Sequence, residues 1–307
     1  MGVIMCDASG AFPKTARETA GTTAKIWLKQ KMKKTTAILA AFAIALSASS
    51  AEKQFDFDGK MKLAKQGDAA AQNEIGEYYA DGGNGKFPPD YMTAIQWWDA
   101  AAKNGSARAI TNIGTLWFMG RGVQRNQHKA ADLWLEAAKR GDAEAQYMLG
   151  QAYSAGLGVL PDTYTAVFWW DKAAKQNHAR AQYNLAFAYA KGEGVSERNL
   201  KKAFELWKAS AEQGDTRAQT YLALCYFTGD GVKPDIAKAV AIWTNSAEFG
   251  NRESRRYLGI LYATGQGVKK DVQKAMSLFD MAAKQGDAEA AKYLEQLRLD
   301  NSVKPIK

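Results

Sequence analysis

The sequence predicts an all-α fold, a solenoid of helical hairpins, and two periodic series carry that prediction. An alanine recurs as Ala71, Ala109, Ala145, Ala181 and Ala218, gives way to Ser254, and returns as Ala290, at spacings of 38, 36, 36, 37, 36 and 36 residues. A second series, Trp98, Trp134, Trp170, Trp207, Trp243 and Phe279, keeps the same period. A fixed period of this size marks an array whose units bury their apolar faces against one another.

The first helix of each unit, helix A, is defined by the residues after the anchor. Four positions on come Ile75, Ile113, Leu149, Leu185, Leu222, Leu258 and Leu294, the step that places side chains on one helix face. Next comes a small residue, Gly76, Gly114, Gly150, Ala186, Ala223 or Gly259. Alanine stands in for glycine there, so the site requires small size rather than positive φ, as where another helix crosses closely. Tyr79, Trp117, Tyr153, Tyr189, Tyr226 and Tyr262 follow three residues later. The invariant Gly82, Gly120, Gly156, Gly192, Gly229 and Gly265 then end the helix in the left-handed conformation that glycine adopts freely.

Helix B opens at Asp90, Asn126, Asp162, Asn199, Asp235 and Asp271, read as N-caps whose side chains accept from unpaired helix amides. Its aromatic series forms the spine, and each ring can bury roughly 150–250 Å². It stops at Gly105, Gly141, Asn177, Gly214, Gly250 and Gly286, after which Asp68, Ser106, Asp142, His178, Asp215, Asn251 and Asp287 cap the neighbouring A helices, His178 being the poor fit. Trp97 and Trp169 precede spine residues, and their counterparts Leu133, Leu206, Ile242 and Leu278 are apolar. Both are therefore read as core and not as a carbohydrate platform.

The ordering of small residue, aromatic, Gly-x-Gly-Val, Asp, Lys-Ala, aromatic and Ala-Ala resembles the Sel-one-like repeat, a relative of the tetratricopeptide repeat. Ala145 to Val159 and Lys274 to Phe279 match it closely, and the resemblance spans about residues 68–298. The first loop, Gly82 to Phe87, departs from the Gly-x-Gly-Val form, and the fourth copy carries an extra residue before Asn199. The resemblance implies a right-handed α/α superhelix that binds a protein or peptide in its concave groove. Cysteine-rich members are described as binding or hydrolysing β-lactams, which supplies the alternative: a hydrolase or binder of a cell-wall or β-lactam-type molecule. Those members are clipped by disulfides, and only Cys225 lies within the repeats.

In tetratricopeptide-like arrays four positions of helix A point into the groove. Carried over, they give Arg108, Thr111, Thr115 and Phe118; Glu144, Tyr147, Gln151 and Ser154; Arg180, Tyr183, Phe187 and Ala190; and Arg217, Thr220, Leu224 and Phe227. Phe118, Tyr147, Tyr183, Phe187, Phe227, Arg180 and Arg217 are the candidate partner-binding residues, since aromatics and arginine carry most interface energy. Phe187, Leu224 and Phe227 are equally suited to packing on the next hairpin, whereas Tyr147 and Tyr183 have polar neighbours and are the stronger candidates. The mixed Arg and Glu signs favour a protein or peptide over a polyanion.

The organisation expected is an upstream extension or misassigned start over residues 1–31, a signal peptide over 32–51, an amino-terminal half-hairpin over 52–67, six repeats over 68–287, a capping helix over 288–299 and a tail over 300–307. The leader reading rests on Met32-Lys33-Lys34, the apolar run Ala37 to Leu46, and the small residues Ser47 to Ala51, the three parts of a secretory signal. A long extension with the apolar stretch as an anchor is the alternative. Cleavage after Ala51 removes seven basic and two acidic residues, lowering the net charge from +9 to +4, which weakens any case for nucleic acid. The expected location is periplasmic or secreted, in a bacterium. No cofactor, metal site or catalytic motif is read: His128 and His178 lie fifty residues apart without ligand-spaced partners, and the Gly-x-Gly pairs lack the surrounding βαβ pattern. Cys225 is read as a small buried apolar residue.

Overall fold

The computed structural model describes residues 55–302. Residues 1–31, the signal peptide expected over 32–51 and the end of the tail lie outside the described residues. The chain divides into a unit over Met1–Phe57 and the helical unit Asp58–Lys307, and among the described residues every regular element is helical.

Helix α1, Phe57–Lys65, precedes six hairpins. These are α2 (Ala69–Ala80) with α3 (Tyr91–Lys103), α4 (Ala107–Met119) with α5 (Gln127–Lys139), and α6 (Ala143–Ala155) with α7 (Thr163–Lys175). They continue with α8 (Ala179–Lys191) and α9 (Leu200–Glu212), α10 (Thr216–Thr228) and α11 (Ile236–Glu248), and α12 (Arg252–Thr264) and α13 (Val272–Lys284), before α14 (Ala288–Ser302) closes the array. Each helix of the six hairpins packs on its hairpin partner, and the second helix of each hairpin packs on the helix that follows it. The result is a solenoid whose even-numbered helices are the A helices.

The caps explain why the sequence breaks into these lengths. Asp90, Asn126, Asp162, Asn199, Asp235 and Asp271 each accept a backbone N–H of their own first turn, which supplies amides that have no helical partner. At the other end of the B helices Asn177 takes φ 63°, the left-handed role that glycine fills in the sister copies. The first loop is the exception: α2 ends at Asp81 in a right-handed conformation, and a left-handed turn over Gly82–Gly85 follows.

The small residue of helix A sits against the indole of its own hairpin. A Cβ on Gly114 would lie 2.9 Å from the Trp134 ring and one on Gly259 2.6 Å from the Phe279 ring. The close neighbour is thus a side chain of the partner helix. Trp134, Trp243 and Phe279 are fully buried, and the indole N–H groups of Trp98 and Trp243 donate to the carbonyls of Asn73 and Thr220 at 3.1 Å. Trp169 is buried in the cluster around Trp134 and Leu149. Cys225 is buried in the cluster around Trp207, and burial pushes its thiol up to about 12.

Candidate functional site

The A helices meet one another through polar side chains, and this polar strip with its aromatics is the candidate site. Asn112 of α4 donates to Asn73 Oδ1 and Glu77 Oε1 of α2 at 3.2 Å. Thr111 Oγ1 donates to Asp142 Oδ1 at 2.7 Å, and Asn184 Nδ2 of α8 donates to Gln151 Oε1 of α6 at 2.6 Å. Farther on, Thr220 meets Ser254 at 2.8 Å and Arg256 Nε donates to Asp287 at 2.9 Å.

Two of the expected pairs are brought together, in separate clusters. In the first, Arg180 lies 4.8 Å over the Tyr147 ring and donates to both carboxylate oxygens of Glu144 at 2.8 and 2.9 Å. His178 stacks on the Tyr147 ring at 4.9 Å and faces Glu144 Oε2 at 3.0 Å. The Ala181 amide donates to His178 Nδ1 at 3.2 Å, so Nε2 carries the proton and donates to Glu144. The residue that fits the cap series least therefore caps its helix and ties it to the preceding hairpin. Burial raises the Glu144 carboxyl, but the hydrogen bond from His178 and the charge of Arg180 outweigh it and hold the group below the usual glutamate range.

Tyr147 is thereby buried. The sequence reading made it one of the two foremost contact residues, but its ring is engaged by the His178 imidazole and the Arg180 guanidinium and is only 8% exposed, so it offers little surface to an incoming group.

In the second cluster Arg217 lies 4.4 Å over Tyr183 and is held by Asp215, Nη2 to Oδ2 at 2.7 Å. Tyr183 packs edge-on against Phe187 at 5.1 Å and Tyr221 at 6.0 Å. Burial and the neighbouring Tyr221 raise the Tyr183 phenol, so it stays a neutral hydrogen-bonding group. Arg180 and Arg217 are both exposed, and Tyr183 and Phe187 are half-buried.

Phe118 and Phe227 stand apart from these clusters. Each is half-buried and packs on the spine of its own hairpin, Phe118 on Trp134 at 5.4 Å and Phe227 on Trp243 at 5.8 Å. Phe187 does the same with Trp207 at 5.2 Å.

Sequence reasoning missed Tyr221 and Tyr257. Tyr221 stacks on Trp207 at 5.3 Å, Tyr257 on Trp243 at 4.9 Å, and Tyr293 on Phe279 at 5.3 Å. The available signal was their place immediately before Leu222, Leu258 and Leu294, a position that the tetratricopeptide analogy passes over. Among the described residues no group of three His, Cys, Asp or Glu side chains is placed to hold a metal ion, and no helix is long and apolar enough to cross a membrane.

A stack of helical hairpins with an aromatic spine and a polar first-helix face is a repeat solenoid, a fold that presents an extended surface. The Sel1 repeat model matches residues 69–106, 107–142, 143–178, 179–215, 216–250 and 252–287. The chain belongs to the Sel1 repeat family, whose members are generally non-enzymatic scaffolds for protein partners. It is 32% identical to c5321, described as a protective antigen of uropathogenic Escherichia coli with an SLR fold, over 78% of this chain and 51% of that one, with a TM-score of 0.67. It is 31% identical to a Sel1 repeat protein from Oxalobacter formigenes over 71% of this chain and 89% of that one, with a TM-score of 0.64. The chain thus spans about half the length of the c5321 structure. No curated protein matches it.

Proposed function

We propose that this protein is an exported scaffold whose A-helix face, the concave side of the solenoid, binds a protein or peptide partner in the bacterial envelope or outside the cell. The observation that carries the reading is the strip formed by Arg180, Tyr183, Phe187 and Arg217. It presents two exposed guanidinium groups beside half-buried aromatic rings on α8 and α10, the residue types that dominate binding hot spots. Both arginines are held by carboxylates, Glu144 and Asp215, so their positions are fixed before a partner arrives, which reduces the ordering cost of association. The alternation of arginine with glutamate and aspartate favours a protein over a polyanion, whose binding calls for uncompensated positive charge. The leader over residues 32–51 supports export.

The test is affinity capture from envelope and medium fractions of the native host, comparing the parent with a Tyr183→Ala/Arg217→Ala variant whose circular dichroism matches it. Tyr147 is left unchanged because it is buried. The expected result is a protein retained by the parent and lost by the variant, with the exported chain beginning at Glu52 by amino-terminal sequencing. Undiminished capture by the folded variant would remove the strip from the site, and a full-length cytoplasmic chain would refute export.

A further inference from the structure

The third hairpin breaks the rule by which this solenoid covers its own spine. Trp207 is covered by Phe187 from its own hairpin and Tyr221 from the next, and Trp243 by Phe227 and Tyr257 in the same way. Trp134 has Phe118, with Met148 packed in the same cluster. At the corresponding positions around Trp170 the sequence places Gln151, Ser154 and Asn184. The first hairpin also lacks a phenylalanine there, but its Glu77 is tied up with Asn73 and Asn112.

Around Trp170 a cavity of about 260 Å³ opens instead, lined by Gln151, Ser154, Trp170, Asn184, Phe187 and Lys191 among others. Trp170 is 9% exposed, against 1% for Trp134 and Trp243. An engineered apolar cavity of roughly 150 Å³ accepts benzene, so there is room here for one six-membered ring. The two amides at the rim hold each other through Asn184 Nδ2 and Gln151 Oε1 at 2.6 Å. Asn184 Oδ1 and Gln151 Nε2 are left without a partner among the described residues, one acceptor and one donor, the pair a peptide group needs.

We infer that the cavity over Trp170 is a socket for one aromatic side chain, phenylalanine above all, carried by an extended peptide whose backbone pairs with the Gln151 and Asn184 amides. The occupant is argued from the molecule itself, since in three sister hairpins a phenylalanine of helix A, Phe118, Phe187 or Phe227, packs on the spine ring of its own hairpin. The inference rests on the reading that the A-helix face receives a protein, and it names the feature of that protein the third hairpin selects.

The test uses the full chain labelled with ¹⁵N, reading the indole resonance of Trp170, assigned by its loss in Trp170→Phe. The probes are acetyl-Gly-Phe-Gly-amide, acetyl-Gly-Ala-Gly-amide and methyl N-acetylglucosaminide. The phenylalanine probe is expected to move the resonance saturably, with Kd on the order of millimolar for so small a ligand, while the alanine probe leaves it in place. Ser154→Phe supplies the missing side chain from within and is expected to weaken the response at least tenfold while the thermal midpoint stays level or rises. Gln151→Phe, which copies the arrangement of Phe187, repeats the test should Ser154→Phe fold poorly. Equal or absent responses to the two peptides, or a full response in both filled variants, would overturn the socket. A response to the sugar alone would replace it with a carbohydrate site. Because the probes need no native partner, a failed socket with successful capture leaves the proposed function standing.

Discussion

Replacing Trp134 and Trp170 by alanine separately gives a direct comparison of a closely covered spine ring with one that borders a cavity. Trp134 is 1% exposed, lies under Phe118 at 5.4 Å and sits in a cluster with Leu149 and Trp169. Removing it forfeits nearly all the ring's burial and leaves a cavity that rigid helices on both sides cannot close. Truncations of this kind cost about 3–5 kcal/mol, and Trp134→Ala is expected near the upper end. Trp170 already borders a cavity of about 260 Å³, so fewer contacts are lost and the remaining space can be reached by water. Trp170→Ala is expected near 3 kcal/mol. With a urea dependence of about 3 kcal/mol per molar for a domain of this size, the midpoints should fall by roughly 1.5 M and 1 M. Far-ultraviolet circular dichroism reads both, and local fraying of the array would show as a broadened transition. A larger loss for Trp170→Ala than for Trp134→Ala would refute the coverage argument, and no loss in either would refute the spine.

Three further outcomes follow from individual sites. Gly158 has φ 75° and a Cβ there would overlap the Gln127 carbonyl oxygen, whereas Gly141, with φ 96°, faces open space. Gly158→Ala should therefore destabilise by about 1–3 kcal/mol and by more than Gly141→Ala, and equal urea midpoints would contradict this. Glu144 has its carboxyl held below the usual range, so its stabilisation is present above the ordinary glutamate range and disappears as pH falls through the lowered value. Glu144→Gln should be less stable than the parent by roughly 1 kcal/mol at neutral pH, and the gap should close in acid; a gap that is constant down to pH 3 would argue against the carboxylate. Cys225, buried with its thiol pushed up to about 12, should resist a thiol reagent in the native protein and react on unfolding in urea, which absorbance at neutral pH checks.

The fold was legible because every copy spells the same physics. Six aspartates and asparagines at the B-helix starts and a spine aromatic in each copy left no competing period, and the structure places each in the role its position suggests. The candidate site was less legible because it depends on departures from the repeat. Tyr147 reads as exposed from its polar sequence neighbours, but its cover, His178 and Arg180, comes from the next hairpin, more than thirty residues away. His178 reads as a weak cap because capping surveys rank oxygen acceptors first, and a ring nitrogen does the same work here. Tyr221 lies outside the four positions borrowed from tetratricopeptide arrays. The opening beside Trp170 is written in the sequence as Gln151, Ser154 and Asn184, but it becomes visible only when the sister rings are seen to be covered.

The central claim, that the A-helix face is the binding face, is tested most directly by site-specific photocrosslinking in the native host. A benzophenone amino acid would replace Thr115 or Ala190, partly exposed on the A helices beside the proposed strip, and, as the comparison, Glu205 or Lys172, exposed on the B helices. The account expects one discrete crosslinked protein from the A-helix positions and none from the B-helix positions. The same adduct from Glu205 or Lys172, with none from Thr115 or Ala190, would contradict it.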